Sequence, residues 1–241
     1  MKHPLNFDDT WSQMRLRPPQ RWYTWEIIEP YIKEAQSRLE IGAGILPKFP
    51  IEGTHFLDTS ASAIQKLQEQ GGKGVVSDAA SRFPFENNTF DLIGTFETLE
   101  HLTHPEAAIR EINRVLKSNG LFLFSVPIRQ KYWSRWDEFA GHIQRFEPRE
   151  LERLLEKEGF LVEHCYNTLR PTRWTFLVFR YTSRVCCALF FHFPEFFFDF
   201  IFTPQTWIRR KIMKAQHYST LREMAPDNAN VFVVCRKQGR D

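Results

Sequence analysis

Four cysteines in 241 residues, at positions 165, 186, 187 and 235, show neither metal spacing nor a disulfide framework. The neighbours Cys186 and Cys187 are poorly suited to bridging each other. A reducing cytoplasm is therefore the expected setting. Charge of one sign is also lacking: 32 Lys and Arg stand against 29 Asp and Glu, a net charge of +3. That balance is too mild to argue for a nucleic-acid partner, and the basic residues form no stripe outside 209–214. No uninterrupted apolar run reaches the roughly 20 residues that a membrane-spanning helix needs. The opening Met1-Lys-His-Pro-Leu-Asn-Phe-Asp-Asp9 is polar and acidic where a signal peptide would carry its apolar core. Internal repeats are absent, and the length suits one domain with an insertion.

What is present starts with Arg38-Leu-Glu-Ile-Gly-Ala-Gly44 and Phe56-Leu-Asp58-Thr-Ser60. These read as a buried strand, a glycine turn where a ligand can lie on bare backbone, and a second strand ending in a carboxylate that can grip two sugar hydroxyls. A dinucleotide site would need a third glycine and a helix facing a pyrophosphate. Pro47 takes that third place, Pro50 follows, and Asp58 arrives too early for a full helix. The spacing favours a nucleoside without a phosphate to cradle.

Periodicity extends the pattern. Gly74-Val-Val-Ser-Asp78, Phe90-Asp-Leu-Ile-Gly-Thr95 and Leu121-Phe-Leu-Phe-Ser-Val126 read as further strands. Helices are predicted over Ser60–Gln70, with Ser60 as cap, over Pro105–Leu116, stopped by Asn119-Gly120, and over Pro148–Lys157. Strand and helix alternate, so the expected fold is α/β: a three-layer, Rossmann-like sheet of seven strands, mostly parallel with the last antiparallel, and helices on both faces. Ligands should gather outside the carboxyl ends of the strands.

Leu39-Glu-Ile-Gly-Ala-Gly44, Leu57-Asp-Thr-Ser60, Ser77-Asp-Ala79, the run from Phe83 to Ile93, Leu99-Glu-His-Leu102 and the run from Glu111 to Gly120 together resemble the successive motifs of class I S-adenosylmethionine-dependent methyltransferases, in the type 11 branch. The resemblance implies S-adenosyl-L-methionine as cofactor and a small-molecule acceptor. It places Glu40, Gly42, Ala43 and Gly44 at the methionine end, Asp58 with Thr59 at the ribose, Asp78 with Ala79 at the adenine, and Phe96 and Glu97 beside the sulfonium. A carboxylate suits both roles: as an ionised acceptor it makes strong hydrogen bonds to hydroxyls, and its charge complements a positive sulfonium.

Catalysis is read from Glu97-Thr-Leu-Glu100-His101 and from His142, with Glu97, His101 and His142 as the catalytic candidates and an imidazole as general base. Methyl transfer itself asks mainly for alignment. Glu97, Glu100, His101 and His142 also resemble the metal site of two groups of hydroxyl-directed methyltransferases. Metal-free site residues are the expectation; a purely structural role, with Glu100 and His101 bonded to neighbouring loops and His142 bracing the turn before Pro148, comes second, and a divalent ion is the minority reading.

The domain is assigned to 36–168 and 229–238, preceded by a helical cap over 1–35 in which Arg15, Arg17, Arg21 and Trp22 could cover the methionine end. Residues 169–228 are an insertion, expected to be helical. Its phenylalanine-rich centre, Val185 to Phe202, is broken by Pro194, Glu195 and Asp199, and Arg209 to Lys214 supply positive charge. A lid over an apolar acceptor, a bilayer-surface helix and a packed layer or homodimer interface through 185–214 all fit. O-methylation of an apolar acceptor is slightly favoured. The rival is a catalytically silent docking subunit.

Overall fold

The computed structural model describes residues 7–169, 216–224 and 227–239. Five strands run parallel: β1 (Arg38–Ile41), β2 (Thr54–Asp58), β3 (Lys73–Val76), β4 (Phe90–Phe96) and β5 (Leu116–Pro127). β6 (Phe160–Leu169), β7 (Gln216–Tyr218) and β8 (Asn230–Lys237) complete an eight-stranded sheet in the order β3-β2-β1-β4-β5-β8-β6-β7. β8 lies antiparallel to both β5 and β6. The expected Rossmann-like sheet is therefore present, with β7 added at its edge.

Alternation along each strand sorts the core between two helical layers. Leu39, Ile93 and Phe122 face α4 (Pro105–Val115) and α6 (Pro148–Lys157), where Ile109, Ile112, Leu151 and Leu155 are buried. On the other face Leu92, Leu123 and Val234 meet Ile28 and Ile32 of α2 (Trp25–Glu34), and Phe56 meets Ile64 and Leu67 of α3 (Ala61–Glu69). Two shorter helices, α1 (Phe7–Ser12) and α5 (Arg135–Ala140), sit at the ligand rim.

Some expectations are corrected. α4 stops at Val115 and β5 begins at Leu116; the ladder with β4 breaks after Phe90↔Leu116 and resumes at Leu92↔Leu121. Asn119, with φ +62°, and Gly120 lie within this irregular stretch instead of outside the strand. Within 169–228, the described residues include β7 and a short 3-10 turn, Leu221–Glu223. The phenylalanine-rich stretch and Arg209 to Lys214 lie outside the described residues. Between β1 and β2 no crossover helix forms. Pro47 and Pro50 lack backbone donors, and the Glu40 carboxylate instead accepts from the N–H groups of Lys48, at 2.9 and 3.1 Å, and Phe49, at 2.8 Å.

Strand order reverses between β1 and β4, which are hydrogen-bonded neighbours. A doubly wound sheet opens a crevice at such a switch point, and ligands bind there.

Candidate active site

The turn after β1 is built for close approach. Gly42 has φ +70° and Gly44 φ +51°, conformations that side chains resist. A Cβ at Gly42 would stand 2.5 Å from the Thr98 side chain, and one at Gly44 2.9 Å from Trp11 Nε1. Gly42→Ala is thus expected to cost about 1–3 kcal/mol of stability, through backbone strain and displacement of Thr98. Urea denaturation reads this directly, and an unchanged midpoint would show that the turn has room.

Asp58 ends β2 and is 8% exposed. Oδ2 accepts from Gly44 N–H and Oδ1 from Ser60 N–H, each at 2.8 Å. Burial raises its pKa, against these hydrogen bonds. A carboxylate has about four acceptor positions, so the two oxygens retain capacity for ligand hydroxyls. Ser60 caps α3 by accepting from Ala63 N–H at 3.1 Å.

α1 is fastened across this turn at both ends. Asp8 accepts from Ser60 Oγ at 2.7 Å and Ser62 N–H at 2.9 Å, and the Ser60 bond is the main cause of its lowered pKa. Lys66 Nζ donates to the carbonyls of Trp11, at 2.7 Å, Ser12, at 2.9 Å, and Met14. Trp11, which spacing did not single out, therefore meets Gly44. Of the residues expected there, Arg17 donates its backbone N–H to Ile45 O at 3.0 Å, and Trp22 carries the Lys48 ammonium 3.3 Å from its ring centroid.

Asp78 is exposed and accepts from Ala80 N–H at 2.8 Å, beside the buried Ala79; Thr59 is exposed. The Phe96 ring is buried between Phe49 and Phe232, at centroid distances of 5.8 and 5.7 Å. Glu97, with φ +53°, sits at the rim and accepts from Ser125 Oγ at 2.6 Å and Asn230 Nδ2 at 3.0 Å.

Glu100, His101 and His142 converge, with one candidate ligand atom from each lying within 4.8 Å of the others. Glu100 is fully buried, and neither oxygen has a hydrogen-bond partner. Burial, then repulsion from Glu97, lifts its pKa well above the usual carboxylate range. The His101 Nδ1 faces Gly141 O at 3.1 Å, which assigns the proton to Nδ1 and leaves Nε2 as an acceptor. Burial and the neighbouring His142 lower the His101 pKa to about 4. Its ring packs edge-on against His142 at 4.9 Å and Phe7 of α1 at 5.7 Å.

Asp137 orients this cluster and was missed in the sequence, although Ser134-Arg-Trp-Asp137 reads as a capping box. Its carboxylate accepts from His142 Nδ1 at 2.9 Å, from Arg145 at 2.8 and 3.0 Å and from Ser134 N–H at 2.7 Å. Burial alone would raise its pKa; the bonds from His142 and Arg145 overcome that and hold it at about 2. His142 Nε2 is left 3.7 Å from Glu100.

A family model described as methyltransferase domain matches residues 27–165, more than half of the chain. The chain belongs to the methyltransferase-domain family. It is an S-adenosylmethionine-dependent enzyme of class I. An uncharacterized protein, MJ1252, of Methanocaldococcus jannaschii is 29% identical over 173 residues, covering 59% of this chain and 68% of that protein. The ubiquinone/menaquinone biosynthesis C-methyltransferase UbiE of Cupriavidus metallidurans is 29% identical over 131 residues, covering 49% of this chain and 53% of the relative. The match thus spans about half of that methyltransferase. A SAM-dependent methyltransferase of Thermotoga maritima shares the fold with a TM-score of 0.57 at 15% identity, covering 91% of each chain.

Proposed function

We propose that this methyltransferase acts on a small, apolar acceptor and methylates an ionisable oxygen. Asp58 holds the ribose hydroxyls, the Gly42–Gly44 backbone meets the methionine end, and Asp78 with Ala79 flanks the adenine. Glu97 complements the positive sulfonium. The reading for the acceptor is carried by His101, a neutral imidazole whose Nε2 is left as the proton-free nitrogen, in the turn that follows β4. S-adenosylmethionine, when bound, would supply the electrophilic methyl group and a neutral thioether leaving group; His101 Nε2 would take the acceptor O–H proton as the oxygen is methylated. A base at this point contributes on the order of 10²–10⁴-fold.

The apolar character of the acceptor is supported by the likeness to UbiE, named for a quinone pathway, and by the phenylalanine-rich sequence between 185 and 202. We assign that segment to acceptor or bilayer contact and the chain to the cytoplasm. Among the described residues no helix is long and apolar enough to cross a membrane.

Labelled methyl transfer into a fractionated cell extract, followed by identification of the labelled compound, tests the acceptor class; label appearing only in polar amines would refute it. His101→Ala is expected to lower kcat by about 10²-fold with little change in cofactor affinity. Wild-type turnover should fall as pH drops through about 4, where the base becomes protonated.

One observation favours a second reading. The unpartnered Glu100 carboxyl and the two imidazoles could hold a divalent ion, with Asp137 and Gly141 O fixing the outer nitrogens of the rings. Such an ion would lower the pKa of an acceptor hydroxyl. Turnover abolished by a chelator and restored by manganese or magnesium selects this reading, and chelator-resistant turnover removes it.

A further inference from the structure

Farther along the carboxyl-end rim, beyond β5, a cavity of about 560 Å³ is lined by Arg129, Arg149, Arg153 and Arg222, against Glu147 and Glu150, with Leu221 and Met224 as apolar wall. Its residues come from three separate elements: the end of β5, the first turns of α6 and the 3-10 turn before β8. Nothing in the transfer chemistry uses them.

The four arginines differ in their commitments. Arg222 is tied to α6 through Glu152 and, at 3.7 Å, Glu156. Arg129 Nη2 donates to Met224 O at 3.1 Å and so links the 221–224 turn to β5. Arg129 also has φ +65°, an uncommon backbone conformation for a residue with a side chain. Such strain persists where the surroundings over-determine it, and it clusters at ligand sites. Arg149 and Arg153 are exposed, one turn apart on α6, and their side chains make no hydrogen bond or ion pair with any described residue. Like charges at that spacing repel by a few tenths of a kcal/mol on a helix. Of the two glutamates, Glu147 already accepts from Gln130 N–H at 3.0 Å.

We propose that this cavity is an anion site that takes a phosphate or diphosphate group through the paired forks of Arg149 and Arg153, with Arg222 and Arg129 forming its far wall. Guanidinium forks match phosphate oxygens two at a time, and the cavity has room for a group larger than a single water. The phosphate can belong to a soluble phosphoester or to a lipid headgroup, and the chemistry is shared.

Calorimetry of the full chain with inorganic pyrophosphate, and flotation with phosphatidylcholine vesicles containing phosphatidic acid, distinguish the two sources. Saturable pyrophosphate binding without flotation assigns a soluble ligand. Flotation that pyrophosphate competes away assigns the headgroup. In either case Arg149→Ala with Arg153→Ala should weaken binding by about tenfold or more, equivalent to about 1.4 kcal/mol. Lysine at both positions should restore only part of it, because the forked geometry is lost. S-adenosylhomocysteine binding should be unchanged, which shows that the variant is folded. No binding of either probe, or binding indifferent to the double substitution, overturns the proposal.

Discussion

Asp58→Ala is expected to weaken S-adenosylhomocysteine binding by at least about a hundredfold. Two hydrogen bonds from ribose hydroxyls to an ionised carboxylate contribute roughly 1.5–3 kcal/mol each, and 1.4 kcal/mol is a factor of ten. Alanine also removes the acceptor for the N–H groups of Gly44 and Ser60, which this carboxylate holds at 2.8 Å. The turn that faces the methionine end and the start of α3 would both relax. Asp58→Asn should perform little better, because its amide NH₂ would confront one of those two donors. Titration calorimetry reads the affinity, and a far-ultraviolet melt separates lost binding from lost fold. Affinity at or near the wild-type value in a folded Asp58→Ala protein would remove this residue from the cofactor site. The pH dependence has a definite sign. Burial raises the Asp58 pKa, so affinity should decline on acidification at a higher pH than an exposed aspartate would give.

The strand ends were legible because buried parallel strands are apolar almost throughout and stop at conspicuous residues. Gly42, Gly44 and Asp58 announced a turn and a carboxylate, and the chain places them side by side at the switch point. Pro47 and Pro50 announced the missing crossover helix. What could not be read was anything fixed by long-range contact. Trp11 is one more aromatic in the sequence, and only the fastening of α1 by Asp8 and Lys66 brings it to Gly44. Phe96 sits at the end of a strand that points into the crevice, but its ring belongs to the face covered by α2. Glu40 is a ligand contact by its motif, and its carboxylate has a second part that spacing does not show, accepting from the amides of the loop that replaces the helix. Asn119-Gly120 reads as a helix stop because Asn-Gly is turn chemistry. The pair instead falls inside β5, in the irregular stretch where the ladder with β4 skips from Phe90↔Leu116 to Leu92↔Leu121.

Asp137→Ala is expected to cost about 3–5 kcal/mol of stability, the range for breaking a buried ion pair from one side. Arg145, whose side chain is 10% exposed, would keep its bond to Ala229 O at 3.1 Å but lose its counter-charge. Ser134 and the Nδ1 of His142 would lose their acceptor at the same time. Because the folded pKa is depressed from 3.8 to about 2, the ionised form contributes stability above the ordinary carboxylate value. That contribution is lost as pH falls from about 4 through about 2, and a shift of this size corresponds to roughly 2 kcal/mol. Urea denaturation of wild type across this window should show the decline, and Asp137→Asn should flatten it. The same substitution frees the His142 ring to rotate, so its Nε2 would no longer be directed at Glu100. A fall in turnover larger than the loss of folded protein, with cofactor affinity retained, would identify Asp137 as the residue that positions His142. A fall matched by unfolding alone would leave Asp137 with a purely structural part.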